Sequence, residues 1–569
     1  MKLRKIKLNR VPFVLVLYFF LFILINSILI YHFYKLQVVK AVNSSLISSN
    51  FEKITPLRGN IYLIDKDGNK FLVATTLYFY DLYFYPPQAK NVLREIDLIQ
   101  TKVKLDDLDL TNLTSTKKSI LLKKNLSYEQ KKAIDQLNLS SVFFEEKLVR
   151  YYPFKDMLST VLGFANLNSQ TGLLEGQYGL ERYYNEILKG EIGYRDKTKI
   201  IKNAKKGNDL ILNIDYYLQK KSEEILNEAI KNYQAQGGLI LIVETKTGNI
   251  LAAAEYPRYD LNEYHRQNDY SIFVSRLSTN YEPGSVLKPF FYAAAFAENL
   301  ATPSTTYHDL GYVNLNGWRI ENFDKKGRGT VDLKTALEQS LNTGSVYISQ
   351  LLGKSKFLKY IDLFRLNSKA EVDFPILEKP NFSNLYPPQG REVNFGTASF
   401  GQGVALSPLN LIQSFLVFAN HGQIMKLNFA KKIIYFDETT KDIKSKSIAK
   451  TLDNQTLEKI LPILEGVVIN QAKKSRIVGY SIGGKTGSAL IPKAKENISD
   501  PSGYTDEAIT NFIGFFPLTD PKYLILVRLD KPSKGLLAFG TAAPTFREIA
   551  KFVINYYGLE PDKPEEIVK

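Results

Sequence analysis

Three short clusters in this sequence hold hydroxyl, amine and amide groups at spacings that suit acyl transfer. The first is Tyr281-Glu282-Pro283-Gly284-Ser285-Val286-Leu287-Lys288, which runs into the apolar stretch Phe290 to Leu300. If that stretch is helical, Ser285 stands at its start and Lys288 lies on the same face. A serine hydroxyl is a weak nucleophile that needs a base, and an amine kept neutral by a desolvated, cationic pocket can supply one. The helix N-terminus would also offer backbone N–H groups to a developing oxyanion. Further along come Ser340-Leu341-Asn342 and then Lys485-Thr486-Gly487-Ser488, the latter in a glycine-rich, strand-like segment. Lys288 must lose its proton to act as a base, so burial beside Lys485 should lower its pKa.

Each cluster alone carries little weight in a lysine-rich chain. Ser115 with Lys118 and Ser447 with Lys450 have the same serine-lysine spacing, in charged, solvated stretches. Ser278-Thr279-Asn280 repeats the middle pattern, and Lys246-Thr247-Gly248 repeats the last one in what reads as a hairpin turn. Taken singly, Ser340 and Asn342 are more often cap or turn residues, and Lys485 a solvated lysine. What discriminates is the order of the three clusters and the elements that would carry them.

Composition removes other chemistries. The chain has 569 residues, enough for two or three domains, and no cysteine, so disulfides, thiolate metal sites and a lipidated N-terminal cysteine are excluded. Its four histidines, His32, His265, His308 and His421, are far apart, which argues against a histidine metal site or triad. The net charge of +16 is spread along the chain without a nucleic-acid motif. An anionic membrane surface or wall polymer explains it more simply than nucleic acid.

The elements that must position the clusters are legible in outline. Residues 1–10 carry five basic side chains, and Val11 to Tyr31 then runs without a charge. That pattern predicts a transmembrane anchor over 11–34, with a cytoplasmic tail at 1–10 and the remainder outside. Its length and the lack of a small-residue cleavage site weigh against a cleaved signal peptide. A region rich in Lys, Leu and Tyr follows over 51–206, with strand-like runs at Asn60 to Ile64 and Thr75 to Phe84 and no catalytic cluster. From 207 to 569 the pattern changes. Asp209 to Ile214 reads as a strand and Tyr216 to Tyr233 as an amphipathic helix. Gly238 to Glu244 with Asn249 to Glu255 reads as a hairpin, and Asn511 to Phe516 with Tyr523 to Arg528 as two more strands. Helical stretches between the strand pairs point to an α+β domain built on an antiparallel sheet.

With these residues assembled, the sequence resembles the class B penicillin-binding proteins. The likeness rests on the three clusters, with Ser-Leu-Asn where many relatives have Ser-Asp-Asn. It extends to Thr247-Gly248-Asn249-Ile250-Leu251-Ala252, Gly401-Gln402-Gly403, Ser407-Pro408 and Asn511-Phe512-Ile513-Gly514-Phe515-Phe516-Pro517. Arg58-Gly59-Asn60-Ile61 and Gly179-Leu180-Glu181 resemble the non-catalytic pedestal of that class. The resemblance implies the penicillin-recognising serine transpeptidase fold, an α+β domain with a helical subdomain, preceded by an elongated α+β pedestal of the dimerisation type. It implies D,D-transpeptidation of peptidoglycan stem peptides through a serine acyl-enzyme, with release of D-Ala and covalent inhibition by β-lactams, in division or cell-shape maintenance.

Carried over by residue, Ser285 would attack and Lys288 would take its proton. Ser340 would relay a proton to the leaving D-Ala, Asn342 would bind the substrate backbone, and Lys485 would supply positive potential. Thr486 and Ser488 would hold the terminal carboxylate, and the N–H groups of Ser285 and Ser488 would form the oxyanion hole. Gly483, Gly484 and Gly487 would let the peptide lie against the strand. The resemblance implies no cofactor, no metal and no nucleic-acid partner. It does imply a multi-span glycan polymerase of the shape, elongation, division and sporulation family as partner, since no segment of the chain reads as a polymerase.

Two other functions stay open at this level. A D,D-carboxypeptidase or β-lactamase shares the clusters but has no use for a pedestal, and a non-catalytic wall-synthesis scaffold would not need Ser285, Lys288, Asn342 and Lys485 intact. The pedestal's shortness leans towards division, without deciding between septal and side-wall work. Stem-peptide composition, oligomeric state, β-lactam susceptibility and the roles of Trp318, Asn322 and Asp324 are not legible.

Overall fold

A computed structural model of the chain describes residues 11–34, 51–105, 116–196, 199–375, 378–493, 503–535 and 537–567. The expected cytoplasmic tail and Ser115 lie outside them. The chain divides into two compact units, residues 1–56 with 191–205, and residues 57–190 with 206–569.

In the first unit, α1 (Val11–Tyr34) is one helix of 24 residues with the expected bounds. Its described side chains, residues 18–32, include the exposed Phe20, Phe22 and Ile30. Among the described residues no helix is long and apolar enough to cross a membrane. Glu52–Ile54, Gly193–Asp196 and Lys199–Lys202 form a small antiparallel sheet, with Arg195 held to both oxygens of Glu52 at 2.7 and 2.6 Å.

The second unit begins with β1 (Ile61–Ile64) and the long β2 (Lys70–Phe84), paired antiparallel. The outer half of β2 is flanked by β3 (Ile120–Leu126) and β4 (Val142–Tyr151). Next, β5 (Asp209–Asp215) runs parallel to β1 and antiparallel to Ala430–Ile434. The sheet is thus shared across the 206/207 boundary read from sequence, which ties the chain before it stiffly to the chain after it.

Asp215 ends β5 and caps α2 (Tyr216–Tyr233) by accepting from Leu218 N at 3.0 Å, and Gln234 stops the helix in the left-handed region. The hairpin β6 (Gly237–Glu244) and β7 (Ile250–Tyr256) turns through Lys246-Thr247-Gly248. Then come α3 (Lys288–Ala297), α4 (Leu333–Glu338), α5 (Asn342–Leu363), α6 (Asn454–Asn470), β8 (Gly483–Pro492), β9 (Tyr504–Phe516), β10 (Tyr523–Asp530) and α7 (Ala542–Tyr557). Five strands make an antiparallel sheet in the order β7-β6-β10-β9-β8, which leaves β8 at an edge.

Both faces of this sheet are covered, which is why β6, β7 and β10 are largely apolar runs. Leu239, Leu241 and Val243 pack with Phe290 of α3 and Ile460 of α6. Ile240 and Ile242 point the other way, into the core with Leu226 of α2 and Phe546 of α7. Each buried Leu or Ile contributes about 1.5–3 kcal/mol, so the site's three supporting elements rest on a rigid core.

Candidate active site

Ser285 lies in a 3-10 turn, Gly284–Leu287, that leads straight into α3, where Pro289 occupies a first-turn position that needs no N–H. Four hydrogen bonds fix this turn. Gly284 N donates to Gly401 O at 3.2 Å, Asn511 Nδ2 donates to Pro283 O at 3.2 Å, and Glu282 accepts from Gly403 N and Tyr504 OH, each at 3.1 Å. The fit is backbone to backbone. Gly284 and Gly401 have φ of 65° and 78°, and a Cβ on Gly401 would stand 2.2 Å from Gly284 O.

The glycines of β8 have a packing reason besides the one read in sequence. A Cβ on Gly487 would come within 2.6 Å of Pro283 O, and on Gly483 and Gly484 within 2.5 and 2.7 Å of the Phe515 and Phe512 rings. Packing against the nucleophile turn and the strand's own neighbour already requires them, whatever binds outside.

Beneath Ser285 two amines converge on one hydroxyl. Lys288 Nζ donates to Ser340 O at 2.6 Å, Asn342 Oδ1 at 2.9 Å and Ser340 Oγ at 3.3 Å. Lys485 Nζ donates to Ser340 Oγ at 2.9 Å, Thr486 O at 3.1 Å and Thr486 Oγ1 at 3.3 Å. Both lysines are fully buried, and neither has an ion-pair partner among the described residues. Burial, and then the charge of Lys485, push the Lys288 amine well below its ordinary range; burial alone pulls Lys485 down to about 7. A neutral amine has only two N–H donors for three acceptors, so on losing its proton Lys288 releases one contact and gains a lone pair.

Ser340 owes its place to an unusual backbone. Its φ is 59°, and the Ser340 and Leu341 N–H groups donate back to Leu337 O and Ala336 O, which closes α4 in the manner usually left to glycine. Asn342 opens α5, with Nδ2 on Glu321 O at 2.9 Å, so its Oδ1 faces Lys288. In β8, Thr486 Oγ1 donates to Gln471 Oε1 at 2.9 Å, and Ser488 Oγ accepts from Ala538 N at 2.9 Å, which leaves the Ser488 proton for a ligand.

These side chains floor a cavity of about 370 Å³ whose wall includes Ser285, Ser340, Asn342, Thr486 and Ser488, with Phe323, Leu490 and Phe539 as an apolar rim. Its size suits the end of a peptide. Of the candidate site residues, Ser285, Ser340, Asn342, Thr486 and Ser488 line this cavity, Lys288 and Lys485 lie buried beneath Ser340, and Gly487 packs behind the Ser285 turn. Neither Lys246-Thr247-Gly248 nor Ser447 with Lys450 lines it. Asn322 also borders the cavity, and it holds Asp309 through Nδ2 and the Thr343 N–H through Oδ1. Asp324 forms a bidentate pair with Arg328 on the cavity wall, whereas Trp318 is exposed on a strand away from it. Gln471, Glu282 and Asn511 gave no chemical signal in sequence beyond their neighbours. Among the described residues no cluster of His, Asp or Glu could hold a metal.

Comparison with known proteins converges on one family. The family described as "Penicillin binding protein transpeptidase domain" matches residues 238–551, and "Penicillin-binding Protein dimerisation domain" matches 53–212. Stage V sporulation protein D of Bacillus subtilis is 30% identical over 535 residues, covering 89% of this chain and 79% of that one. A peptidoglycan D,D-transpeptidase FtsI homolog of Mesostigma viride is 27% identical over 598 residues, covering 97% of each. The crystal structure of penicillin-binding protein 2X from Streptococcus thermophilus superposes with a TM-score of 0.73 at 21% identity, covering 89% of this chain and 80% of that one.

Proposed function

The chain belongs to the class B penicillin-binding proteins and is a serine-type peptidoglycan D,D-transpeptidase, and from that premise we propose how its own residues carry the reaction. Ser285 Oγ attacks the penultimate D-Ala carbonyl of a stem peptide while neutral Lys288 takes its proton. The Ser285–acyl bond forms, and the peptide bond to the terminal D-Ala breaks. Ser340, bonded to both lysines, passes a proton to the departing amine. The acceptor amine of a second stem then attacks the acyl-enzyme, restoring the serine and making the cross-link.

The observation that carries this reading is the pair of buried, uncompensated lysines meeting at Ser340 Oγ. Such an arrangement disfavours charge on at least one amine near neutral pH, which is what a general base requires. Asn342 orients the substrate backbone, Lys485 and the Ser488 hydroxyl hold the terminal carboxylate, and Thr486 and Gly487 border that subsite. The N–H groups of Ser285 and Ser488 bind the oxyanion, each worth about 3 kcal/mol in the transition state.

The proposal extends to the whole chain. The uncharged sequence of α1, flanked by the basic residues before it, is a single-pass anchor with the N-terminus inside and the catalytic part outside. Residues 51–206 serve as pedestal and 207–569 as transpeptidase domain. A separate multi-span glycan polymerase of the shape, elongation, division and sporulation family delivers nascent strands, since tethering both in one membrane raises their effective concentration.

The test is benzylpenicillin labelling followed by peptide mass spectrometry. An adduct on Ser285 that disappears in Ser285→Ala is the expected result. An adduct on another serine, or undiminished labelling of the variant, overturns the assignment.

A further inference from the structure

Gln471 stands at the end of α6, one residue past the helix, and borders the cavity. Its Oε1 takes the proton of the Thr486 hydroxyl at 2.9 Å. A threonine hydroxyl has one proton, so once it points at Gln471 only the oxygen lone pairs remain for Lys485. Lys485 Nζ stands 3.3 Å from that oxygen, and its other partners, Thr486 O and Ser340 Oγ, are also acceptors in this arrangement. Three acceptors meet three ammonium protons. The chain of bonds runs from Gln471 through Thr486 and Lys485 to Ser340, each donor direction set by the first.

We propose that Gln471 is a positioning residue for the transpeptidase cleft: by accepting the Thr486 proton it commits Thr486 Oγ1 to Lys485 and holds Lys485 as a cation beneath the cavity, where its positive potential acts on the substrate carboxylate. The inference deepens the reading above and rests on it. Burial alone draws Lys485 to about 7, where a small bias decides how much of it is charged. Without Gln471 the Thr486 hydroxyl can turn its proton onto the Lys485 lone pair, a bond that only the neutral amine can accept. Gln471 acts through Thr486 and does no chemistry itself.

Other charges face the same spot. Lys288 comes from α3 and shares Ser340 with Lys485. Glu338, on α4, is tied through Oε2 to Asn470 at 2.8 Å beside Gln471. Asp324 and Arg328 close on each other across the cavity wall. None of these changes when the Gln471 amide is replaced by an uncharged group of similar length, so a shift in such a variant reports the Thr486 link.

The experiment is the second-order rate of acylation of the full chain in detergent by a fluorescent penicillin from pH 5.5 to 9.5. For the wild type a bell is expected, its acid limb from Lys288 and its alkaline limb from loss of the Lys485 cation. Gln471→Met should move the alkaline limb down by about one pH unit and leave the acid limb in place. In a Thr486→Val background the same substitution should move nothing. If the methionine variant fails to fold, Gln471→Leu, equally uncharged and without an acceptor, carries the test with the same expected downward shift and the same dependence on the Thr486 hydroxyl. A folded Gln471→Met whose alkaline limb coincides with that of the wild type overturns the proposal, as does an equal shift in the Thr486→Val background. Wild-type protein with no adduct on Ser285 would instead overturn the underlying transpeptidase reading.

Discussion

Two sets of buried charge sit in this molecule and are treated in opposite ways. In the pedestal, Glu181 is wholly buried between two guanidiniums, with Arg58 Nε on Oε2 and Arg150 Nε on Oε1, both at 2.6 Å. Most of the remaining donors are also used: Arg58 reaches Leu174 O, Glu181 O and Asn185 Oδ1, and Arg150 Nη1 reaches Gly59 O, while Arg150 Nη2 is buried without a partner among the described residues. Burial pushes the Glu181 carboxyl up, but the two cations outweigh it and hold it below its usual value. In the cleft, Lys288 and Lys485 are equally buried and have only neutral acceptors. There burial wins and the amines are driven towards neutrality. The same desolvation fixes charge where counterions are built in and removes it where they are left out. The pedestal uses burial for rigidity, and on the proposed mechanism the cleft uses it to make a base.

The comparison breaks most visibly if the cleft is forced to carry permanent charge. Lys288→Arg places a group there that cannot deprotonate, and acylation by benzylpenicillin should fall by about 10²–10⁴-fold, the usual contribution of a general base. An unchanged rate would mean that neutrality of residue 288 is not the point of its burial. The converse test removes the counterion from the pedestal. Glu181→Gln leaves two buried guanidiniums facing each other and should cost about 3–5 kcal/mol in urea unfolding. Because the Glu181 pKa is lowered in the folded state, its contribution is present above the unfolded value near 4.5 and lost as pH falls through the folded one. The gap between wild type and variant should therefore narrow in acid. Folded Glu181→Gln protein should still take up penicillin, since no bond of the triad reaches the cleft.

A third substitution tests the sign in the cleft. Lys485 has a folded pKa of about 7, below its ordinary 10.5, so the unfolded chain binds more protons between these values and stability rises with pH across that window. Lys485→Met removes the term. It should be more stable than wild type at pH 6 by a few kcal/mol, at about 1.4 kcal/mol per unit, with the advantage shrinking as pH climbs from 7 towards 10. Guanidinium melts at three pH values would settle it; a variant less stable than wild type at pH 6 would show the charge to be compensated after all.

Much of this contrast was hidden in the sequence for a physical reason. Local signals were sound: amphipathic periodicity marked α2 at Tyr216–Tyr233, and Lys246-Thr247-Gly248 was read as a turn. The strand expected at Asn511 to Phe516 begins instead at Tyr504, because pairing with β8 holds a polar stretch that apolar periodicity could not mark. The serine, both lysines and Asn342 were legible as an ordered set, since their residue types are rare in that order. Arg58 and Glu181 were noticed only through resemblance, because 123 residues separate them and nothing local says that they meet. Gln471 was invisible: its role depends on which hydroxyl lies 2.9 Å away. The packing requirement for Gly483, Gly484 and Gly487 was missed for the same cause, close tertiary approach.

The smallest predicted effect concerns Ser340, where the cleft gives up stability to place a hydroxyl. With φ at 59° it occupies a position that closes α4 and that glycine fills without steric cost, whereas a residue with a Cβ is disfavoured there by about 1 kcal/mol. Simple replacement by glycine mixes two effects, since it relieves the backbone and also deprives Lys485 of an acceptor at 2.9 Å. The loss matters most while Lys485 is charged. Ser340→Ala supplies the control, because it loses the hydroxyl and keeps the strained Cβ. Ser340→Gly should therefore be more stable than Ser340→Ala by about 1 kcal/mol, less a few tenths for the greater freedom of glycine in the unfolded chain, and by the same amount at pH 6 and pH 9. Against wild type, the glycine variant should fare better at pH 9, where neutral Lys485 can satisfy its two protons on Thr486 O and Oγ1, than at pH 6. Both variants should lose most acylation activity if the hydroxyl relays a proton. Equal stability of the glycine and alanine variants would show that the left-handed turn is not strained, and that serine stands there at no cost to the fold.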